Sequence, residues 1–247
     1  VLFPAARGGN YQTPTGIARI GELAFAYNKE LTAVRFLPTI TEIGIDAFSG
    51  CTALRTVDFD KDARNGDLAI RERAFYGCSA VTNLTLPANL KTLEVNAFGG
   101  TNSLGTVTLN CNRGYIEYAN DAFATTYGTS YVNILNMGED VPVFNISGVF
   151  GGNLREVNFL GNNDNYSEEG GVVYDAEATE ILFFPNEITE FKISDKMTVV
   201  KSGVFKGKTT LESIIISKNV RTIEDGAFEN CYGLKTIIFE EGGTESL

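Results

Sequence analysis

One phrase recurs along the chain: an isoleucine, three variable residues, Ala-Phe, often a cysteine three residues later, then Leu-x-x-Val-x-Phe. It reads Ile43…Ala47-Phe48…Cys51…Leu54…Val57…Phe59 and returns as Ile70…Ala74-Phe75…Cys78…Val81…Leu84…Leu86. It is present again as Ile223…Ala227-Phe228…Cys231…Leu234…Ile237…Phe239. A fixed period of a few tens of residues means stacked supersecondary units, each exposing an apolar face until its neighbour covers it. A closed globule built around one central core does not produce such a pattern.

The phenylalanine of the phrase stands at Phe25, Phe48, Phe75, Phe98, Phe123, Phe150, Phe205 and Phe228, with Val149 and Val204 in place of alanine in two copies. Successive steps are 23, 27, 23, 25, 27, 55 and 23 residues, so one copy lacks its Ala-Phe. In that gap, Gly170-Gly171-Val172-Val173-Tyr174-Asp175 and Ile181-Leu182-Phe183-Phe184-Pro185 flank Ala176 to Glu180, the pattern of a β-hairpin insertion over about 167–185. Nine strand-like copies are counted, beginning at Leu31, Leu54, Val81, Leu104, Tyr131, Leu154, Ile188, Leu211 and Leu234. The Tyr131 copy is the most degenerate, because Asn136 stands where a large apolar residue is expected.

Within Leu-x-x-Val-x-Phe the last two apolar residues are two apart, which is strand periodicity toward one side. A second apolar pair precedes each Ala-Phe, as in Ile40…Ile43 and Leu90…Leu93, and predicts a second short strand. The Ala-Phe-x-x-Cys segment between them has room for one or two turns of helix or 3-10 helix. The eight phenylalanines are the predicted core column. Cys51, Cys78 and Cys231 share one repeat position and are expected as small buried hydrophobes. Laddered side chains point the same way, which disfavours a disulfide between neighbouring copies.

A net charge of −11 and a pI near 4.6, with no Lys/Arg cluster, argue against nucleic acid and anionic membrane surfaces. No apolar run approaches the roughly 18 residues of a membrane span. The chain has no histidine, which removes Ser-His-Asp and Cys-His nucleophile pairs and His-ligated metals. Asp58, Asp60 and Asp62 alternate, but Ala63 and Ala69 stand where a calcium-binding EF-hand loop needs Gly and Glu. The expectation is no enzyme, no cofactor and no metal.

A partner must therefore meet the outward positions of the strands: Thr56, Asp58, Asn83, Thr85, Thr106, Thr108, Asn133, Leu135, Glu156, Asn158, Glu190 and Lys192. Most are short and polar, as on a solvated sheet. Leu135, Met137 and Leu160 break the pattern and, with Asn133 and Asn158, form the candidate partner-binding cluster, since clustered exposed apolar side chains mark contact sites. The competing reading is that the irregular fifth copy shifts register and buries them.

Leu84-Thr85-Leu86-Pro87, Leu90…Leu93 and Ile43-Gly44-Ile45-Asp46-Ala47-Phe48-Ser49-Gly50-Cys51 resemble the leucine-rich repeats of BspA-like (Treponema-type) bacterial surface proteins. The resemblance implies a right-handed leucine-rich-repeat solenoid of α/β type, mainly short parallel strands with short helical or 3-10 turns. It also implies a non-catalytic, secreted or surface-exposed recognition and adhesion module, with any signal or anchor outside this chain. The expected partner is a host or bacterial surface protein bound through the sheet face. The alternatives are a structural spacer and a carbohydrate-binding module; the outward rows lack the aromatic residues that carbohydrate binding needs. With no linker composition, one domain is expected over 20–247, preceded by a possible cap at 1–19. The stretch Phe239-Glu240-Glu241-Gly242-Gly243 ends almost directly after a strand, which leaves a monomer with an open coil or a weak end-to-end dimer as the two arrangements.

Overall fold

In the computed structural model the described residues are 9–60, 66–111, 117–119, 121–124, 130–139, 141–150 and 153–241. The chain forms two compact units, residues 1–163 and 164–247, divided within the polar stretch Asn162–Asn165.

The first unit holds β1 (Asn10–Gln12), β2 (Arg19–Ile20), β3 (Ala33–Phe36), β4 (Glu42–Ile43), β5 (Thr56–Phe59) and β6 (Leu68–Ile70). It continues through β7 (Asn83–Leu86), β8 (Leu90–Leu93), β9 (Thr106–Leu109), β10 (Glu117–Tyr118), β11 (Ile134–Met137), the short helix α1 (Ile146–Phe150) and β12 (Glu156–Phe159). Each coil gives one strand to each of two faces, so every pairing is parallel and joins residues about one repeat apart. One face runs β2-β4-β6-β8-β10; the other carries β1-β3-β5 and, separately, β7-β9-β11-β12. Val34 stands opposite Val57, and Leu84, Val107, Leu135 and Val157 are in register across the second group.

The Ala-Phe segment is not a helix, except at α1. It is a hydrogen-bonded turn bracketed by two residues in the left-handed region, at Phe−2 and Phe+2. Asp46, Arg73, Asn96 and Asp121 fill the first position at φ 51 to 62°, and Gly50, Gly77 and Gly100 the second at 67 to 69°. A left-handed residue on each side stops helix propagation. Amide donors then alternate along the turn. Ala47, Ser49 and Cys51 donate back to Gly44, Asp46 and Phe48, while Asp46, Phe48 and Gly50 donate onward to Glu72, Ala74 and Tyr76 of the next coil. The helical-turn expectation failed because it counted apolar spacing and not these two backbone positions.

The onward bonds hold coils at strand spacing, and the phenyl rings follow. Phe25, Phe48, Phe75 and Phe98 stack with centroids 4.9 to 5.1 Å apart and interplanar angles of 2 to 5°. Phe123 and Phe150 extend the column at 5.5 and 4.7 Å. Five of these six rings are buried; Phe25, on the terminal coil, is half-buried. All four cysteines are free; Cys51 and Cys78 donate Sγ–H to the Phe25 and Phe48 carbonyls of the preceding coil.

In the second unit, β13 (Tyr166–Glu169), β14 (Val172–Asp175) and β15 (Ile181–Phe183) form an antiparallel sheet. β16 (Glu190–Lys192), β17 (Val199–Val200), β18 (Ser213–Ile216), β19 (Thr222–Ile223) and β20 (Thr236–Phe239) return to the parallel arrangement, as β16-β18-β20 and β17-β19. Phe205 stacks on Phe228 at 4.9 Å and meets Phe184 edge-on. Phe228 and Cys231 are only half-buried, and β20 is exposed along its whole length, Phe239 at 65%. Of the N-terminal segment expected as a cap, residues 1–8 lie outside the described residues; β1 pairs with β3 and begins the sheet.

The fifth copy requires a correction. Leu135 pairs with Val107 and Met137 with Leu109, so the copy begins at Val132 and not at Tyr131. Val132, Leu135 and Met137 are 0 to 1% exposed, whereas Tyr131 is 39% exposed. A one-residue change of register exchanges the two faces of a strand. The Val132 register buries three apolar side chains and leaves Asn136 outside; the Tyr131 register would have buried an asparagine amide.

Candidate partner-binding face

On β5 and β7 the exposure strictly alternates, with Thr56, Asp58, Asn83 and Thr85 out and Val57, Phe59, Leu84 and Leu86 in. On β9, β11 and β12 the outward positions are Thr106, Thr108, Ile134, Asn136, Glu156 and Asn158. Side chains in register on this face touch: Asn158 Nδ2 donates to Asn136 Oδ1 at 3.2 Å, and Asn136 Nδ2 to Thr108 Oγ1 at 3.4 Å. Of the candidate cluster, Leu160 stands out at 60% exposure, and Asn133 and Asn158 are half-exposed. Leu135 and Met137 are core residues and are no part of it. Of the apolar members of the cluster, only Leu160 is exposed.

Sequence reasoning missed the main irregularity of the face. β5 and β7 belong to successive coils, yet among the described residues they do not pair, and the sheet face is split there. Elsewhere the residue after the strand donates to the preceding coil, as Asn110 does to Leu86 and Leu160 to Met137, at 3.2 and 2.8 Å. The residue after β7 is Pro87, which has no N–H to give. The coil between these strands is also a long one, 27 residues from Phe48 to Phe75. The proline at the strand end was in the sequence; coil length alone is no signal, since β9 and β11, 28 residues apart, pair along their whole length.

An open groove of about 830 Å³ lies over this seam, lined by Arg35, Arg55, Asp58, Asp60, Asn83 and Thr85 among others. A shallower hollow of about 280 Å³ adjoins it, bounded by Asn10, Tyr11 and Gln12 and sharing Arg35 and Asp58. Arg35 and Asp58 sit 3.6 Å apart with both side chains about half exposed, a loose pair that costs little to separate. Among the described residues the groove offers guanidinium, carboxylate, amide and hydroxyl groups, with Phe59 its one aromatic lining residue. Asp62 and its neighbours 61–65 lie outside the described residues.

The opposite face carries an alternating charge ladder. Glu42 accepts from Arg19 at 2.7 Å and pairs with Arg71 at 3.2 Å, and Arg71 pairs with Glu94 at 2.8 Å. The Arg19 hydrogen bond leads in holding the Glu42 carboxyl below its ordinary range, with Arg71 adding to it against partial burial. Reactive groups are scarce. Burial pushes the Cys78 thiol strongly up and the Cys111 thiol up to about 12, so neither supplies a thiolate nucleophile. Among the described residues no cluster of three metal-ligating side chains occurs, and no helix is long and apolar enough to cross a membrane.

Comparison with known families bears on this geometry. The family model of the BspA type leucine rich repeat region matches in six copies, over residues 9–130 and 177–246. The chain belongs to the BspA-type leucine-rich-repeat family. No curated protein matches it. Among solved structures, the BspA-type chain is similar to a leucine rich cell surface protein from Faecalibacterium prausnitzii, at 23% identity and a TM-score of 0.59, over 94% of this chain and 69% of that one. It is similar to the pneumococcal vaccine antigen PcpA at 17% identity and a TM-score of 0.66, and to a leucine-rich repeat protein from Eubacterium ventriosum at 21% and 0.53. Each likeness covers 94% of the BspA-type chain, which spans 60% of the length of these two proteins. At such identities the likeness is one of fold alone.

Proposed function

We propose that this chain is a non-catalytic recognition module that binds a protein partner through its sheet face, with the β5/β7 groove at the centre of the contact. The observation that carries this reading is the groove itself: a break in an otherwise regular ladder, placed where small polar outward residues give way to two arginines and two aspartates. Partner side chains of either charge find a counter-ion there, and charge complementarity favours specificity and encounter rate over raw affinity. The shortage of aromatic groups disfavours sugar stacking. The chain works outside the cell or on its outer surface, the setting named for the Faecalibacterium relative. The coils are right-handed, the antiparallel β13–β15 sheet is an insertion into the repeat, and the stacked phenylalanines are its stabilising column. Leu160, Asn133 and Asn158 lie at the rim of the contact.

The test is binding of the purified chain to immobilised extracellular-matrix proteins and to a glycan panel, beside the variants Asn83→Arg/Thr85→Arg and Leu160→Glu. Both variants change outward side chains and leave the fold intact. Saturable protein binding lost at least tenfold in Asn83→Arg/Thr85→Arg places the contact at the groove. Binding to glycans alone, or protein binding indifferent to both variants, refutes the reading, and a silent panel favours a spacer.

A further inference from the structure

The repeat position that holds Cys51, Cys78 and Cys231 is occupied in one coil of the second unit by Lys208. Cysteine there reaches only the phenylalanine carbonyl of the preceding coil. The longer lysine reaches a side chain of the preceding coil instead, and its Nζ lies 2.7 Å from Oδ1 of Asn186, 22 residues upstream. The site is half-buried. The Phe183 ring lies beneath Nζ, 5.9 Å to its centroid, and Phe183 and Phe184 are 3 and 1% exposed. Asn186 is held from a second side, since the Thr210 hydroxyl donates to its backbone carbonyl. Lysine in such surroundings ordinarily takes a carboxylate partner; Lys208 takes a neutral amide.

We propose that Lys208 and Asn186 join in an intramolecular amide that staples two successive coils. The Nζ lone pair attacks Cγ of Asn186, and the new Nζ–Cγ bond forms as the Cγ–Nδ2 bond breaks. One proton passes from Nζ to Nδ2, which leaves as ammonia. Nothing is oxidised or reduced, and no co-reactant is needed. With Nζ 2.7 Å from the carbonyl oxygen, ordinary bond lengths and angles put it about 3.5 Å from Cγ, the edge of the near-attack range. The reaction needs a neutral amine. Burial lowers the Lys208 pKa from its usual value, partly opposed by the Glu187 carboxylate and by Cys231 when that thiol ionises. The product replaces a desolvated ammonium with a neutral amide, which removes the burial penalty for good.

The experiment is intact-mass measurement of the whole purified chain under denaturing conditions, followed by peptide mapping. The expected result is a loss of about 17 Da, one ammonia, with Asn186 and Lys208 recovered in a single branched peptide. Lys208→Arg keeps the charge and the hydrogen bond but cannot form the amide, and it restores the full mass. A wild-type chain at full sequence mass with both residues unmodified overturns the proposal. So does a loss that persists in Lys208→Arg, or a gain of about 1 Da at Asn186, which is attack by water and not by the amine.

Discussion

Phe75→Ala tests whether the ring column is the stabilising element of the first unit. Phe75 is fully buried, with Phe48 stacked on one face at 5.1 Å and 3° and Phe98 on the other at 4.9 Å and 2°. Phe36 meets its edge at 6.2 Å. Truncating a buried phenylalanine costs about 3 to 5 kcal/mol from lost transfer energy and the cavity left behind. Each aromatic contact adds roughly 0.5 to 1.5 kcal/mol beyond area, and the onward bonds that fix coil spacing resist collapse, so we expect the upper end, about 5 kcal/mol. Phe25 is the internal control. It is half-buried, and among the described residues its ring meets Phe48, coplanar at 5.0 Å, and Tyr11, tilted at 4.9 Å. Phe25→Ala should cost about half as much, roughly 2 to 3 kcal/mol. Phe75→Leu, which keeps most of the volume, should stay under about 1.5 kcal/mol. Urea unfolding followed by far-ultraviolet circular dichroism gives all three. Equal losses for Phe25→Ala and Phe75→Ala, or a Phe75→Ala midpoint at the wild-type value, would refute the column as the source of stability.

Gly50→Ala should destabilise by about 1 to 3 kcal/mol, because φ at Gly50 is +69° and an added Cβ would lie 2.6 Å from Tyr27 Cδ1. In the background of Tyr27→Ala the clash is gone and only the backbone strain remains; a cost abolished entirely there would show that the left-handed position is not strained. Glu42 has its folded pKa depressed by Arg19 and then Arg71, so its contribution is complete above the unfolded value and is lost as pH falls through the folded one, from about pH 5 downward. Unfolding midpoints at neutral and acid pH should therefore differ less in Arg19→Gln/Arg71→Gln than in wild type, and equal differences count against the ladder. Native-state thiol titration near pH 8 should find Cys51, Cys78 and Cys111 silent and Cys231 slowly reactive, since the first three are buried with raised pKa values and Cys231 is half-buried. Rapid labelling of Cys78 would contradict the packing of that coil.

The coil-by-coil organisation was legible because its signal is repeated: an error at one copy is outvoted by the others. Ala-Phe marked the ring column, and Leu-x-x-Val-x-Phe marked the inward strand positions in most copies. The fifth copy misled because Tyr131 and Ile134 offer an apolar pair one residue out of step with Leu135 and Met137. Only the third member decides, Met137 inward against Asn136 inward, and the cost of burying an amide settles it. The turn conformation was also written in the chain, as glycine at 50, 77, 100 and 207 and Asp, Asn or Gly at 46, 96, 121, 203 and 226. Those residues speak for backbone angles, to which hydrophobic spacing is blind; Leu23 and Tyr27 occupy the same two positions in the first coil at φ 55 and 59° and give no such signal. The groove was the least legible feature. A proline at the strand end marks it, and a missing donor there shows only once its equivalents in other coils are known.

The alternation of amide donors in the Ala-Phe turn has a mechanical consequence. The onward bonds from Asp46, Phe48 and Gly50 join one coil to the next, and those from Arg73, Phe75 and Gly77 repeat the pattern one coil later. Tension that separates successive coils therefore falls on one small set of bonds at a time, like the teeth of a zip, and not on all of them together as in strands pulled past one another. A unit built this way yields coil by coil at modest force and recloses by the same steps.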